Sequence, residues 1–144
     1  MPITSKFTMM CDEVRIENNG KFIILGVYTP DMAVPQFPAV IPMLTFALWL
    51  DYTLPGQYQF DASVTHLESG TMIARAMGGI GVAKAGTGLV PIRFSPVQFT
   101  QAGVYTFSIR FMNENEILHQ FSVGLPPAPT LPAGLGAPGL TGRF

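Results

Sequence analysis

The sequence has few charged residues: Asp, Glu, Lys and Arg make up 12% of its 144 residues, against roughly 25% in an average soluble domain. Its 8 basic residues stand singly between Lys6 and Arg143, and the net charge is −1. A nucleic-acid-binding surface needs clustered basic side chains, so we expect no nucleic-acid partner. Hydrophobic residues nevertheless reach 48%. Burial against other protein chains would reconcile this composition with solubility.

Cysteine is almost absent, since Cys11 is the single one. The fold therefore needs no intrachain disulfide and no oxidising compartment. Long apolar runs are missing too: the longest, at 39–50, contains Pro42 and is shorter than the roughly 20 residues of a membrane-spanning helix. No basic start leads into the apolar stretch of a secretory signal peptide. We expect neither a membrane span nor a signal peptide.

Helical periodicity is nearly missing, and short apolar segments separated by turn signals take its place. Alternation is clearest in segments 56–66 and 104–112. Seven or eight short strands at this spacing predict an all-β fold, a single antiparallel β-sandwich of immunoglobulin-like or C2-like type over residues 1–124. Because alternate side chains share a face, one core is predicted to contain Tyr58, Phe60, Val64, Tyr105, Phe107, Ile109 and Phe121.

The N-terminal part predicts a hairpin. The segment CDEVRIENNGK (11–21) is expected to turn the chain, with Asn19-Gly20 supplying the tight turn. The following segment KFIILGVY (21–28) is apolar on both faces. Strands of that kind are normally covered on both sides, so this one is predicted to be central in its sheet.

Glycines cluster once, as GGIG at 78–81 and GTG at 86–88. A phosphate-binding loop needs a preceding strand, a following helix and usually Lys-Ser/Thr, and this context is missing. The segment is predicted to be a flexible link. The next segment, 89–99, is interrupted by Pro91 and Pro96 and is predicted to be an edge strand.

The candidate nucleophiles and bases, carboxylates apart, are Cys11, His66 and His119. Cys11 and His119 share strand parity with apolar residues, which indicates core or inter-subunit positions. The acidic residues lack the D-x-D spacing of calcium loops, and Asp12 is expected to accept backbone N–H groups within a tight CDEV turn. No nucleophile–base–orienter pattern is present, so we predict no enzyme, no catalytic residue, no metal and no cofactor. The acidic residues considered are Asp12, Glu13, Asp31, Asp51 and Asp61.

Aromatic side chains leave a second function open. Sugars stack on exposed aromatic faces, although aromatic residues in strands more often belong to a core. The alternative is therefore a bacterial cytoplasmic module that binds a small ligand or a peptide at an aromatic patch or a loop end. The candidates for such a platform are Trp49, Tyr28, Tyr52 and Phe37.

The segment LPPAPTLPAGLGAPGLTGRF (125–144) is rich in proline and glycine, which excludes a helix and an interior strand. At about 3.1 Å per residue, an extended segment of this length spans roughly 60 Å, enough to reach a neighbouring subunit. We predict an extended C-terminal arm whose apolar residues act as single anchors and whose one charge pairs with a carboxylate. Its predicted partner-binding residues are Leu125, Leu131, Leu135, Leu140, Arg143 and Phe144.

Three stretches carry a resemblance: CDEVRIENNGKFIILGVY, VPQFPAVIPMLTFALWL and GVYTFSIRFMNENEILHQFSV. Over about residues 5–124 the chain resembles a family of uncharacterised small β-sandwich proteins, a domain of unknown function found in bacteria and tailed phages. Its most specific part is Asp12-Glu13-Val14-Arg15 before Asn19-Gly20-Lys21. The family domain ends near Val123, so the arm is an addition to it.

The resemblance implies a β-sandwich and carries no established activity. Its phage members imply a setting, the virion of a tailed phage, in which the chain would be a capsid decoration, neck or tail accessory protein. With the low charge and the arm, we expect a non-enzymatic structural subunit of a larger assembly. Its partners would be further copies of the chain, phage structural proteins, or both.

Overall fold

The computed structural model describes residues 2–112 and 116–127. Within these ranges it contains eleven strands and no helix, which confirms the all-β prediction. Strands β3, β4 and β9 have only three residues each, too few to show an alternation in the sequence. The strands are β1 Ile3–Ile16, β2 Phe22–Val27, β3 Asp31–Ala33, β4 Ala39–Ile41, β5 Leu44–Tyr52, β6 Gly56–His66, β7 Met72–Val82, β8 Gly86–Phe94, β9 Val97–Phe99, β10 Gly103–Phe111 and β11 Ile117–Gly124.

Nine of these strands form two larger sheets. The four-stranded sheet has the order β2-β1-β5-β8, and the five-stranded sheet has the order β3-β11-β10-β6-β7. Strands β4 and β9 pair with each other as a small antiparallel sheet. The prediction of purely antiparallel pairing is wrong at one place, because β3 runs parallel to β11.

One core lies between the two larger sheets. Phe46 of β5 stacks on Phe107 of β10 with ring centroids 4.1 Å apart, so the two sheets meet through aromatic contacts. The predicted core is confirmed, because Phe60 packs against a cluster that contains all six other predicted members in buried positions. Polar residues that alternate with these side chains, such as Gln59, lie on the opposite, exposed face. Strand parity therefore identified the inward face of β6 and β10 correctly.

The first hairpin turns later than the sequence predicts. Strand β1 continues through the CDEV segment, and the chain turns between Glu17 and Lys21. The N–H of Gly20 donates to the carbonyl of Glu17 at 3.0 Å, and Gly20 has a φ of +84°. A turn that ends in a left-handed glycine is a common three-residue hairpin connection. The hairpin is confirmed, but the turn within CDEV is wrong.

The prediction that residues 21–28 form a central strand is wrong. Strand β2 is the outermost strand of the four-stranded sheet and pairs with β1 alone. Five of its six residues are exposed, and Ile24 is half-buried. An apolar sequence indicates that a strand is suited to burial. It does not indicate whether the element that covers the strand belongs to the same chain. Within the described ranges no strand pairs with the free side of β2.

The glycine-rich segment is also different from the prediction. Strand β7 runs through Gly78, Gly79 and Gly81, and only residues 83–85 separate it from β8. The glycines make room for side chains of β6: a Cβ on Gly78 would lie 3.0 Å from the ring of Phe60. The flexible link is therefore wrong as a prediction. The predicted edge position is confirmed for β8, which closes the four-stranded sheet opposite β2, but the single strand predicted over 89–99 is wrong, since β9 pairs with β4 in the small sheet.

Candidate interaction surface

Of the predicted partner-binding residues in the arm, the structure describes Leu125, whose side chain is 61% exposed. The other predicted anchors lie outside the described residues, so docking through the arm stays a prediction. They are Leu131, Leu135, Leu140, Arg143 and Phe144. The described residues present a different apolar surface, on the four-stranded sheet.

The middle of the outer face of the four-stranded sheet, turned away from the core, is apolar, and the pairs Thr45–Arg93 and Asp51–Thr87 place polar residues on either side of it. Sheets that have one solvated face normally place polar residues there. Here Phe7 is 48% exposed and lies beside Trp49, with ring centroids 5.7 Å apart. A second cluster, separate from the core, covers the middle of this face. It consists of buried Cys11, Val14, Ala47 and Leu89, with Met9, Ile24 and Trp49 packed against them.

Trp49 adds a polar feature to this face. Its indole Nε1 is shielded from solvent and has no hydrogen-bond partner in the part of the chain that the structure describes. Buried indole N–H groups usually find an acceptor, and leaving one unpaired costs about 1–3 kcal/mol.

Strand β2 continues the apolar face to the sheet edge. The cross-strand pairs Val14–Ile24 and Ile16–Phe22 place Ile24 and Phe22 on the same face as the outer cluster. Ile16 is exposed at the end of this row. We call the exposed strand Phe22–Val27 the β2 edge. The face and the edge form one continuous apolar surface.

The CDEV segment fixes this hairpin against the rest of the sheet. The Tyr28 hydroxyl donates to the Asp12 carboxylate at 2.7 Å, and the hydroxyl of Thr45 donates to the Asp12 carbonyl at 3.1 Å. From β8, Arg93 Nη2 donates to the carbonyl of Val14 at 2.8 Å. The prediction that the Asp12 carboxylate accepts backbone N–H groups of a tight turn is wrong. The CDEV segment belongs to strand β1, and the carboxylate accepts a hydrogen bond from the Tyr28 hydroxyl.

Gly26 makes this contact possible. Gly26 lies between the cross-strand pairs Cys11–Val27 and Glu13–Leu25 and takes a φ of +66°. The Asp12 carboxylate lies directly over it, so a Cβ on Gly26 would stand 2.1 Å from Oδ2 of Asp12. Burial, together with the hydrogen bond to Asp12, raises the pKa of Tyr28 to about 12. Asp12, Gly26, Tyr28 and Thr45 form a junction that holds the β2 edge in a fixed position beside the outer face.

A family model described as a family of unknown function, DUF6941, matches residues 6–124. The chain belongs to the DUF6941 family. This confirms the predicted likeness to an uncharacterised family over about residues 5–124, while the bacterial and phage membership stays a prediction. None of the curated proteins compared with the chain matches it.

The candidate nucleophile and bases of this DUF6941 chain have separate surroundings. Cys11 is buried in the outer cluster, where burial raises the pKa of its thiol. His66 is buried at the end of β6, with Nδ1 2.8 Å from the hydroxyl of Ser69 and Nε2 3.1 Å from the carbonyl of Ala102. His119 packs beside Phe46, and burial lowers its pKa. The shifts of Cys11 and His119 favour their neutral forms.

The acidic residues of the DUF6941 domain have local partners. The Arg75 guanidinium donates to Asp61 at 2.7 Å and lowers the pKa of that carboxyl. Asp51 accepts the hydroxyl of Thr87 at 2.5 Å, and Asp31 accepts the hydroxyl of Ser122 at 2.6 Å. In residues 2–112 and 116–127, no three His, Cys, Asp or Glu residues are grouped so that they could hold a metal ion. In the same ranges, no helix is long and apolar enough to cross a membrane.

The four aromatic residues predicted as a sugar platform do not share one surface. Trp49 lies in the outer cluster, whereas Tyr28 and Phe37 pack against the main core. Tyr52 is a buried member of the main core and also lines a groove of about 710 Å³ between β7 and β8, together with Phe60 and the glycines of these strands. This groove is a second candidate site of the DUF6941 domain.

Sequence reasoning missed the outer face and the β2 edge as a site. A signal was present, because MLTFALWL is almost entirely apolar on both parities, as KFIILGVY is, and one parity of KFTMMC is apolar throughout. Strands that are apolar on both parities indicate a sheet whose two faces are both suited to burial. One chain of this size has a single core to cover one of those faces.

Proposed function

We propose that the chain is a non-enzymatic structural subunit of a larger protein assembly. The observation that supports this most is the continuous apolar surface formed by the outer face and the β2 edge. Exposed apolar patches of this kind mark protein–protein contacts in soluble proteins, since they are otherwise an aggregation liability. The low charge of the chain, 12%, agrees with a surface that is covered in use.

The proposed architecture is a β-sandwich domain of immunoglobulin-like or C2-like type over residues 1–124, with an extended arm over 125–144. Two larger sheets around one core support the sandwich. The family match ends at residue 124, where β11 also ends, which supports the boundary. The composition of the arm supports docking on a neighbouring subunit, in addition to the contacts of the sheet.

The proposed setting is the virion of a tailed phage, with the chain as a capsid decoration, neck or tail accessory protein. The support for this setting is the sequence resemblance described above. A bacterial cytoplasmic location belongs to the alternative function. The first experiment is sedimentation of extracts from the organism that produces the chain, followed with an antibody. Migration with a large particle supports the proposal, and migration as a free chain in all fractions refutes it.

A truncated chain that ends at Gly124 tests the role of the arm. We expect the truncation to stay folded, because the core residues all precede it, and to bind the particle more weakly than the full chain. Thermal unfolding of both forms controls for stability. Unchanged binding of the truncated chain would show that the arm does not take part in docking.

A second candidate function is supported by the groove between β7 and β8. Its volume of about 710 Å³ is within the range of small-molecule sites, and it is lined by Tyr52, Phe60 and strand backbone. A ligand or an extended peptide is the matching occupant. A monomer that gains thermal stability with a peptide or small molecule, and loses that gain when Val90 in the groove is replaced by Trp, would favour this function over the first.

A further inference from the structure

The β2 edge differs from the other sheet edges in the described part of the chain. Natural edge strands are protected by short length, proline, charge or glycine-rich irregularity. Strand β3 has three residues and follows Pro30, strand β8 contains Pro91, and strand β7 contains Arg75 and three glycines. Residues 22–25 of β2 contain none of these, and the left-handed φ of Gly26 lies toward the far end of the strand.

An unprotected apolar edge is suited to accept another strand. Alternate backbone N–H and C=O groups of an edge strand point away from the sheet, so they can pair with an added strand. The side chains of β2 are apolar on both faces, Phe22 and Ile24 on the outer face and Ile23 and Leu25 on the other. Adding a strand here would bury apolar side chains above and below the sheet at once.

We propose that the β2 edge pairs antiparallel with the β2 edge of a second copy, forming one eight-stranded sheet across a two-fold axis. This deepens the proposed assembly role and rests on it. A two-fold interface requires a self-complementary surface. The stretch Phe22–Leu25 meets this requirement, because its four residues are apolar and uncharged, so an antiparallel second copy meets apolar side chains on both faces of the sheet. The paired sheets also join their apolar outer faces into one larger surface.

Charge supports the antiparallel direction. Lys21 is the only charged residue between the hairpin turn and Asp31, and it stands at one end of β2. Asp12 and Glu13 stand in β1 beside the other end, where Glu13 pairs with Leu25. Antiparallel pairing brings Lys21 of each copy toward Asp12 of the other, and it does so twice by symmetry, whereas Glu13 is already paired with Arg15 at 3.2 Å. Since adjacent strands are about 4.8 Å apart, the acidic residues of β1 would lie about 10 Å from the added strand, within reach of a lysine side chain.

The first test measures the mass of the purified full chain by sedimentation velocity over a range of concentrations. We expect a reversible dimer. Ile23→Lys and Leu25→Lys should each raise the dissociation constant of the dimer at least tenfold. Each variant places a charged side chain of one copy against the apolar β2 edge of the other, and the lysines of the two copies repel each other. The matched control is Leu118→Lys, since Leu118 is 58% exposed on β11, which is an interior strand of its sheet. The control should dimerise like the unaltered chain.

The second test maps the register and remains informative if a lysine variant fails to fold. Single cysteines are placed at residues 22 to 25 in a Cys11→Ala background and oxidised. Directly opposite residues share a face, so a two-fold antiparallel pair puts one position opposite itself. We expect disulfide-linked dimer at one of the four positions and much less at its two neighbours. Equal cross-linking at all four positions would contradict a fixed pairing.

A purified chain that stays monomeric up to about 100 µM, where a dimer of micromolar affinity would be complete, overturns the proposal. So does a dimer that Ile23→Lys and Leu25→Lys leave unchanged. In either case, a chain that still sediments with a large particle would keep the assembly role and would assign the β2 edge to another protein or to no partner. A free monomer in both experiments would refute the assembly role as well.

Discussion

Replacing Phe107 by Ala tests the two-sheet core most directly. The Phe107 side chain is fully buried, stacks on Phe46 of the opposite sheet at 4.1 Å, and meets Phe94 edge-on at 6.1 Å. Phe→Ala changes in a core cost about 3–5 kcal/mol, because transfer free energy is lost and a cavity remains. We expect about 4 kcal/mol here, since neighbours from both sheets hold the cavity open.

The assay is equilibrium unfolding in urea, followed by tryptophan fluorescence at one protein concentration, because association adds to apparent stability. With a slope of about 2 kcal/mol/M, the expected loss lowers the midpoint by about 2 M. Phe7→Ala is the control, since Phe7 is 48% exposed and lies outside the core, and it should cost about 1 kcal/mol or less. A loss below about 1 kcal/mol for Phe107→Ala would refute the strand parity and the shared core.

Three further predictions concern the junction that holds the β2 edge. Gly26→Ala should lower the free energy of unfolding by about 2–4 kcal/mol, because it forces a left-handed φ on alanine and displaces the Asp12 carboxylate. The control is Gly20→Ala, which has nothing within 4 Å of its Cβ and should cost about 1–2 kcal/mol. Equal losses for the two variants would contradict the contact between residue 26 and the Asp12 carboxylate. Cys11 should react with a thiol reagent far more slowly in the folded chain than in urea, because it is buried and its pKa is raised; rapid labelling of the native protein would show that the outer cluster is open. Folding raises the pKa of Tyr28 from 10.0 to about 12, so the folded state holds the phenol proton more tightly than the unfolded state does. The protonated phenol therefore stabilises the fold fully below pH 10, and this contribution is lost as the pH rises toward 12. Tyr28→Phe should therefore show a smaller fall of the urea midpoint between pH 10 and 12, and parallel curves for both proteins would refute the assignment.

Short-range pattern in the sequence determined the class of the fold and the inward face of its clearest strands. Alternation at Tyr58, Phe107 and their neighbours predicts which side chains are buried, because successive residues of a strand point to opposite faces whatever lies beside it. Low charge and apolar strands likewise predict a surface that needs covering. These properties depend on residues close in the chain, so they can be read without the fold.

Tertiary structure decided where each strand lies and which residues meet. The position of β2 at an edge depends on the order in which distant strands pair, and apolar residues 21–28 suit a central strand equally well. The Asp12 carboxylate that accepts the Tyr28 hydroxyl lies over Gly26, where a Cβ would collide with it, and Gly78 of β7 faces the Phe60 ring of the neighbouring strand. Local pattern specifies which face of a strand is apolar, whereas the neighbour that covers that face is chosen by non-local packing, within the chain or between chains.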